Sequence, residues 1–541
     1  MAAPCPLGAH RTSALGTDGA VTSSHPAVSQ LGARILAEGG NAFDATVAMA
    51  ALSWLVLPGQ CGLGGDAFAL VREPDGRVWT LAGSGLGPDG GTPGFYRDHG
   101  LAELPLGGVL SVSVPGAPGV LRRLGERATR SLSELWRPAT RAAEAGVPCT
   151  AKTLADVTEH ADALAADPGT ASVYLPGGRL PRTGDLIRQP DLARTLRRLA
   201  DDPAGFHTGW FADRALDWLV QQGAPFSGEE WALTADVPEE PAITTTYGGL
   251  LLHETPQPSP GWMVLHQARV LDGQLGALDQ LGAEAIHWFA GAARASFQHR
   301  LAYCGADNDN WRTALGDAAV RRVRRDLKDH AGRREQPAAA GWGAPGDTTT
   351  TVCVDADGVA ISFIHSLAFT FGARVTVPGT GVVLNNRLGR GAYLIDGHPN
   401  EVRPRRPPLS TLNAWLLSQG RDLVAVGNCP GGDGQVQWNM QVISHLLDHA
   451  DDPQRAVSLP RVTVFPGSDA NTLGSRATLR CEEGIDPAAL DRLESWGHRV
   501  ERIPAQRGGP GGSALAVTAD PDRGVLRAAA DPRMDGVALA L

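Results

Sequence analysis

Residues 346–366 read GDTTTTVCVDADGVAISFIHS, two runs rich in β-branched side chains joined by Asp355, Ala356, Asp357 and Gly358. Such side chains fit the pleated surface of a sheet, and an Asp/Gly-rich link between two such runs predicts a hairpin. The stretch just before, RREQPAAAGWGAPG over 333–346, has no hydrophobic period and the composition of a flexible loop. Thr348 therefore stands where a loop becomes a strand, and that placement bears on chemistry as well as on fold.

A threonine hydroxyl is a weak nucleophile unless a base lies beside it, and an α-amino group on the same residue can be that base. A free α-amine titrates at about 7.7–8.0, which suits a general base near neutral pH. An internal threonine acquires such an amine only when the peptide bond before it is cut. On strand preference alone the four threonines are ordinary sheet residues, so a nucleophile needs support from the rest of the chain.

Upstream, AEGGNAFDATVAMAALSWLVLPGQCGLGGDAFALV predicts a helix after a Gly-Gly-Asn start, a glycine turn, and a strand around Phe68 to Arg72. Its apolar run, Ala45 to Leu57, is too short to span a bilayer and reads as a buried helix. From about Ser133 to Asp329 the pattern is helical, most clearly in LWRPATRAAEAG and EAIHWFAGAARASFQHRLAYCG. Further strands are expected at Ala373 to Val377, Gly381 to Leu384 and Leu423 to Val426.

The 541 residues are 43% hydrophobic and 20% charged, with 67 Gly and 39 Pro, as in a loop-rich globular protein with both helices and strands. A net charge of -10 argues against nucleic acid as a partner, since phosphate binding needs a basic face. Lysine is confined to Lys152 and Lys328 against 46 arginines, a codon bias of high-GC bacteria. The seven scattered cysteines lack any C-x-x-C pair and read as free thiols, and the N-terminus has no apolar core behind a basic start, so a cytoplasmic location is expected. His253-Glu254 lacks zinc-helix spacing, GSGLGPDGG lacks the setting of a dinucleotide site, and His365 and His398 read as structural. No metal or cofactor is expected.

The segment from Gly19 to Val71 resembles the opening of the γ-glutamyltranspeptidase family of N-terminal-nucleophile hydrolases. Collinear with it are SVSVPGAPGV (111–120), ETPQPSPGW (254–262), FGARVTVPGTGVVLNNR (371–387), PPLSTL (407–412), CPGGDG (429–434) and ADPRMDGVA (530–538). The resemblance implies an α+β fold, a four-layer αββα sandwich made as one precursor and cut into two chains that stay together. In the family the nucleophile lies seven residues before the first Asp of the V-x-D-x-D-G-like turn; Asp355 holds that place, so the nucleophile is Thr348. Cleavage between Asp347 and Thr348 would leave a large chain, 1–347, and a small chain, 348–541. The assisting hydroxyl falls on Ser366, the oxyanion-binding backbone N–H groups on Gly431 and Gly432, and the pocket-lining pair on Ser410 and Thr411.

Four positions depart from the transpeptidase pattern. Ser84 stands where an Arg grips the glutamate carboxylate, Ala368 replaces an Asn, Arg390 falls near the acidic residue that binds the α-amine, and Thr350 replaces a His. Glutathione is thus not the expected substrate, and HSLAFTFGA, LNNRLGRG and GHPNEVRPRRPPLSTL resemble the acylase and amidohydrolase branch. Arg387 and Arg390 are the candidates for holding an anionic substrate. The expected activity is hydrolysis of an amide or acyl bond in a small carboxylate-bearing compound. Alternatives are C–C bond hydrolysis in an actinobacterial alkylproline-type natural-product pathway, a conventional γ-glutamyl hydrolase or transferase, and an uncut, non-enzymatic homologue. The partners implied are the small-molecule substrate and the two chains of the precursor, with a homodimer of the pair left open; no membrane is involved.

Overall fold

A central strand buried on both faces needs a core on each side, and the hairpin at 349–366 shows how the sequence meets that need. The computed structural model describes residues 11–328, 348–505 and 512–541. The 333–346 loop, Asp347 and the bond expected to be cut lie outside the described residues. In chain order the strands of the two large sheets are β1 (Ala14–Gly16), β2 (Gly19–Ser23), β3 (Asp66–Arg72), β4 (Val78–Gly83), β5 (Glu240–Pro241), β6 (Ile243–Tyr247) and β7 (Leu250–Glu254). They continue as β8 (Thr349–Asp355), β9 (Ala360–Ser366), β10 (Trp415–Gln419), β11 (Asp422–Asn428), β12 (Leu515–Asp520), β13 (Val525–Ala530) and β14 (Val537–Ala540).

One sheet has the order β14-β2-β8-β9-β3-β4-β5 and the other β1-β13-β12-β11-β10-β7-β6. The predicted hairpin is β8 and β9, antiparallel from Thr349 opposite His365 to Val354 opposite Ala360. Because side chains alternate along a strand, β8 sends Val352 and Val354 into the core between the sheets and Cys353 into the core under the helices. β9 does the same with Ala360 on one side and Ile361 and Phe363 on the other.

The outer layers are helical. On the β8 side lie α1 (Pro26–Ala37), α2 (Ala42–Val56) and α3 (Leu132–Ala145), whose apolar residues share one core with that sheet. On the other side α4 (Gly261–Leu271), α5 (Ala283–Tyr303) and α6 (Gln435–Leu447) share a second core with β10 and β11. A third core of Leu70, Val352, Leu416, Val426 and Val517, among others, lies between the sheets. Three cores separating helix, sheet, sheet and helix make a four-layer αββα sandwich. Each sheet takes strands from both sides of residue 347, so neither segment completes a sheet alone.

Local signals in the sequence have physical counterparts. The Gly-Gly-Asn start is a capping box, in which Asn41 caps the Asp44 N–H and Asp44 returns a bond to Asn41. Asp355 accepts from the Ala42 N–H through Oδ2 at 2.8 Å and from Val359 through Oδ1 at 2.9 Å, so it closes the hairpin and caps α2. The strands expected at 373–377 and 381–384 shrink to a ladder of Thr376–Val377 with Val382–Val383. Phe371 and Arg374, with φ of 57° and 59°, keep the preceding residues in a turn.

Candidate active site

Thr348 immediately precedes β8 and is 2% exposed. Its parity along the chain is that of Val352 and Val354, which aims it at the space between the sheets. There its Oγ1 donates to Ser366 Oγ, the last residue of β9, across 3.1 Å. The hairpin register makes this meeting inevitable, since Thr349 lies opposite His365. Thr350 and Thr351 hydroxyls have no hydrogen-bond partner among the described residues.

Beyond Ser366 the chain turns sharply. Ala368 has φ 85°, a left-handed conformation that costs a residue with a Cβ, and this directs its N–H onto Ser366 Oγ at 2.9 Å. The turn is held by neighbours. The Phe369 N–H donates to Asn386 Oδ1 at 3.0 Å, and Arg390 Nη1 donates to the Ala368 carbonyl at 2.6 Å while its guanidinium stacks on the Phe369 ring at 4.2 Å.

The structure gives each of the two predicted anion-holding arginines a carboxylate from the protein itself. Arg387, fully buried, binds Asp66 through Nε at 2.7 Å and Nη2 at 3.3 Å, and its Nη1 lies 3.5 Å from Thr411 Oγ1. Asp66 pairs with Ser366 in the β3–β9 ladder, so the arginine links the end of β9 to the Ser410–Thr411 segment. Arg390 binds both oxygens of Asp469, from Nε at 2.7 Å and Nη2 at 2.9 Å. Burial disfavours both charges; it wins at Arg387, whose pKa is lowered, while Asp469 holds that of Arg390 above its ordinary value.

Asp469 leads on to the glycine turn. Its N–H and that of Ser468 donate to Asp433 Oδ2, and Ser468 Oγ donates to Asp433 Oδ1 at 2.8 Å. Burial pushes the Asp433 carboxyl up, with the Asp469 charge adding to it. Just ahead of Asp433, Gly431 and Gly432 have φ of 129° and 60°, and a Cβ on Gly431 would lie 2.2 Å from the Trp438 ring. Only glycine fits there. Neither N–H donates to an acceptor among the described residues. Ser366, Ala368, Arg390, Asp469 and Asp433 thus form one hydrogen-bonded path, and the glycine pair adjoins Asp433 along the chain.

Ser410 and Thr411 are buried just ahead of β10 and are reached from Ser366 through Asp66 and Arg387. The Ser410 N–H donates to the Pro258 carbonyl at 2.9 Å, and its own carbonyl accepts from buried Arg300 Nη2 at 2.9 Å. Ser84 Oγ donates to the Pro408 carbonyl at 3.3 Å beside the same segment. Sequence reasoning missed Asp66, Asp469, Asn386 and Arg300. Only Asp66 had a local signal, a lone carboxylate at the head of an apolar strand.

The histidines lie elsewhere. His365 Nδ1 accepts from Trp54 Nε1 at 3.3 Å and its Nε2 meets Ser53 Oγ at 3.1 Å, on the helix side of the sheet. His253 meets Ser418 Oγ at 2.9 Å, and the Asn400 N–H donates to His398 Nδ1 at 3.0 Å.

Residues 28–541 match the family Gamma-glutamyltranspeptidase. The chain belongs to the γ-glutamyltranspeptidase family. By family and by fold it is an N-terminal-nucleophile hydrolase. Among its relatives, the oxamate amidohydrolase proenzyme of Klebsiella pneumoniae is 32% identical, over 97% of this chain and 99% of its own. The glutathione hydrolase-like YwrD proenzyme of Bacillus subtilis is 31% identical, over 98% and 99%. The crystal structure of cephalosporin acylase from Bacillus halodurans superposes with a TM-score of 0.88 at 27% identity, over 100% of this chain and 99% of that one. Among the described residues no helix is long and apolar enough to cross a membrane.

Proposed function

We propose that this family member cuts itself between Asp347 and Thr348 and then hydrolyses an amide or acyl bond of a small carboxylate-bearing substrate. The observation that carries this reading is the 3.1 Å bond from Thr348 Oγ1 to Ser366 Oγ at the head of a central strand, in a family of such hydrolases. The amine freed on Thr348 takes the proton of its own hydroxyl, Oγ1 attacks the carbonyl, and the N–H groups of Gly431 and Gly432 receive the developing oxyanion. The amine then returns the proton to the leaving group, and water releases the acyl group from Thr348. The segments 1–347 and 348–541 stay together because both sheets interleave their strands. Glutathione is excluded from the reading because Ser84 stands where a carboxylate-gripping arginine belongs. Relatives named for oxamate amidohydrolase and cephalosporin acylase chemistry support hydrolysis of an amide or acyl bond. The six cysteines among the described residues are free and buried, in accord with a cytoplasmic setting.

The test is a set of carboxylate-bearing amides, with oxamate, glutaryl-p-nitroanilide and γ-glutamyl-p-nitroanilide as first members, followed by ammonia or nitroaniline release. Turnover of oxamate or the glutaryl anilide, an acyl adduct on Thr348 by mass spectrometry, and loss of both in Thr348→Ala are expected. Preferred turnover of the γ-glutamyl anilide would replace this reading with a conventional γ-glutamyl hydrolase.

A further inference from the structure

Arg374 ends the turn that begins at Ser366, with φ 59°. Unlike Arg387 and Arg390, its guanidinium makes no hydrogen bond or ion pair among the described residues, and its Nε is buried without an acceptor. Glu159 acts on it only through space. The side chain runs beside Gly107, where an added Cβ would lie 3.4 Å from Nη1. It lines a groove of about 920 Å³ whose other walls include Val109, Ala166, Pro168, Trp218 and Val375. Asp167 also lines the groove, but its Oδ2 already accepts from the N–H groups of Thr170 at 2.8 Å and Thr376 at 3.2 Å.

The Nε of this half-buried guanidinium is shut off from solvent without an acceptor, and an anion in the groove would meet the rest of the fork. A carboxylate matches it, because its two oxygens meet the guanidinium fork in pairs. The remaining wall is largely apolar and carries one indole, which suits an aryl or branched acyl body. We propose that the groove around Arg374 binds an amphipathic monocarboxylate, its carboxylate on the guanidinium and its apolar body along Trp218 and Val109. The site is separate from Thr348 and does not depend on the hydrolase reading. It does touch the catalytic turn through the protein: Leu106, next to Gly107, accepts from Asn386 Nδ2 at 2.8 Å, and Asn386 holds the Phe369 N–H beside Ala368.

The experiment uses the full chain carrying Thr348→Ala, so that no acyl transfer contributes to the signal. Phenylacetate is titrated by calorimetry, with phenylacetamide as the uncharged isostere. Saturable phenylacetate binding is expected, at least tenfold tighter than the amide, weakened at least tenfold by Arg374→Gln and partly restored by Arg374→Lys. Lysine keeps the charge and tolerates the same backbone conformation as arginine, so its partial recovery separates loss of the cation from misfolding. The proposal fails if phenylacetate shows no saturable binding, if the amide binds equally well, or if Arg374→Gln binds as the parent does.

Discussion

Arg390 and Asp469, separated by 79 residues, meet in a two-bonded ion pair at 2.7 and 2.9 Å. The pair ties the turn after Ser366 to the loop that cradles Asp433, and so to Gly431 and Gly432. Arg390→Leu would strand Asp469, whose side chain is 13% exposed, and free the Ala368 carbonyl. Removing one partner of a buried pair costs about 3–5 kcal/mol, so the urea midpoint of Arg390→Leu is expected to fall by that equivalent. Arg390→Lys should lose less stability, since it keeps the charge but not the fork. An unchanged midpoint in Arg390→Leu would deny the tie.

Self-cleavage is read most directly on a denaturing gel. Wild-type protein should give two bands, the smaller beginning at Thr348, and Thr348→Ala should give one. Ser366→Ala removes the acceptor of the Thr348 hydroxyl, a bond worth about 0.5–1.5 kcal/mol, so processing should slow roughly two- to tenfold without stopping. A Thr348→Ala protein that is still cut after Asp347 would remove Thr348 from the chemistry.

Much of this site could be read from sequence because its parts are local. The hairpin, its turn Asp355 and the loop-to-strand boundary at Thr348 lie within twenty residues, and strand register then carries Thr348 to Ser366. The layers follow from runs that are apolar on both strand faces. What escaped is long-range pairing. Nothing near Arg387 or Arg390 announces Asp66 or Asp469, and a buried arginine looks in sequence like one waiting for a substrate. The strands expected at 373–377 and 381–384 are shortened for a related reason: positive φ at Phe371 and Arg374 is imposed by neighbours such as the Gly59 and Leu384 carbonyls, not by residue preference.

Gly431 offers a test of the oxyanion turn. In Gly431→Ala the new Cβ would lie 2.2 Å from the Trp438 ring at a φ of 129°. Overpacking costs about 1–3 kcal/mol, and the strained backbone adds to it. The N–H groups would also turn from their aim, and loss of one such donor costs about 10²–10³ in kcat. Activity is therefore expected to fall much further than stability, with KM little changed. A folded Gly431→Ala enzyme of near-normal kcat would show that these N–H groups do not bind the oxyanion.

Acid should unfold this protein through its buried histidines. Burial pushes His365 and His445 down to about 3 and His253 to about 4, from an ordinary 6.5. Between pH 6.5 and these values the unfolded chain holds protons that the folded one refuses, so the stability they contribute is complete above pH 6.5 and drains as pH falls. Each such group contributes a slope of about 1.4 kcal/mol per pH unit inside that window. Glu254, Glu240, Asp355 and Asp433, each pushed up by burial, act in the opposite sense, so a variant at a single histidine is needed to isolate its share. His365→Gln can keep the Trp54 and Ser53 bonds without a titrating ring. Its urea stability between pH 6 and 4.5, in the Thr348→Ala background, should therefore fall less steeply than the parent's by about 1.4 kcal/mol per unit. Parallel curves would mean that His365 does not titrate between the folded and unfolded states.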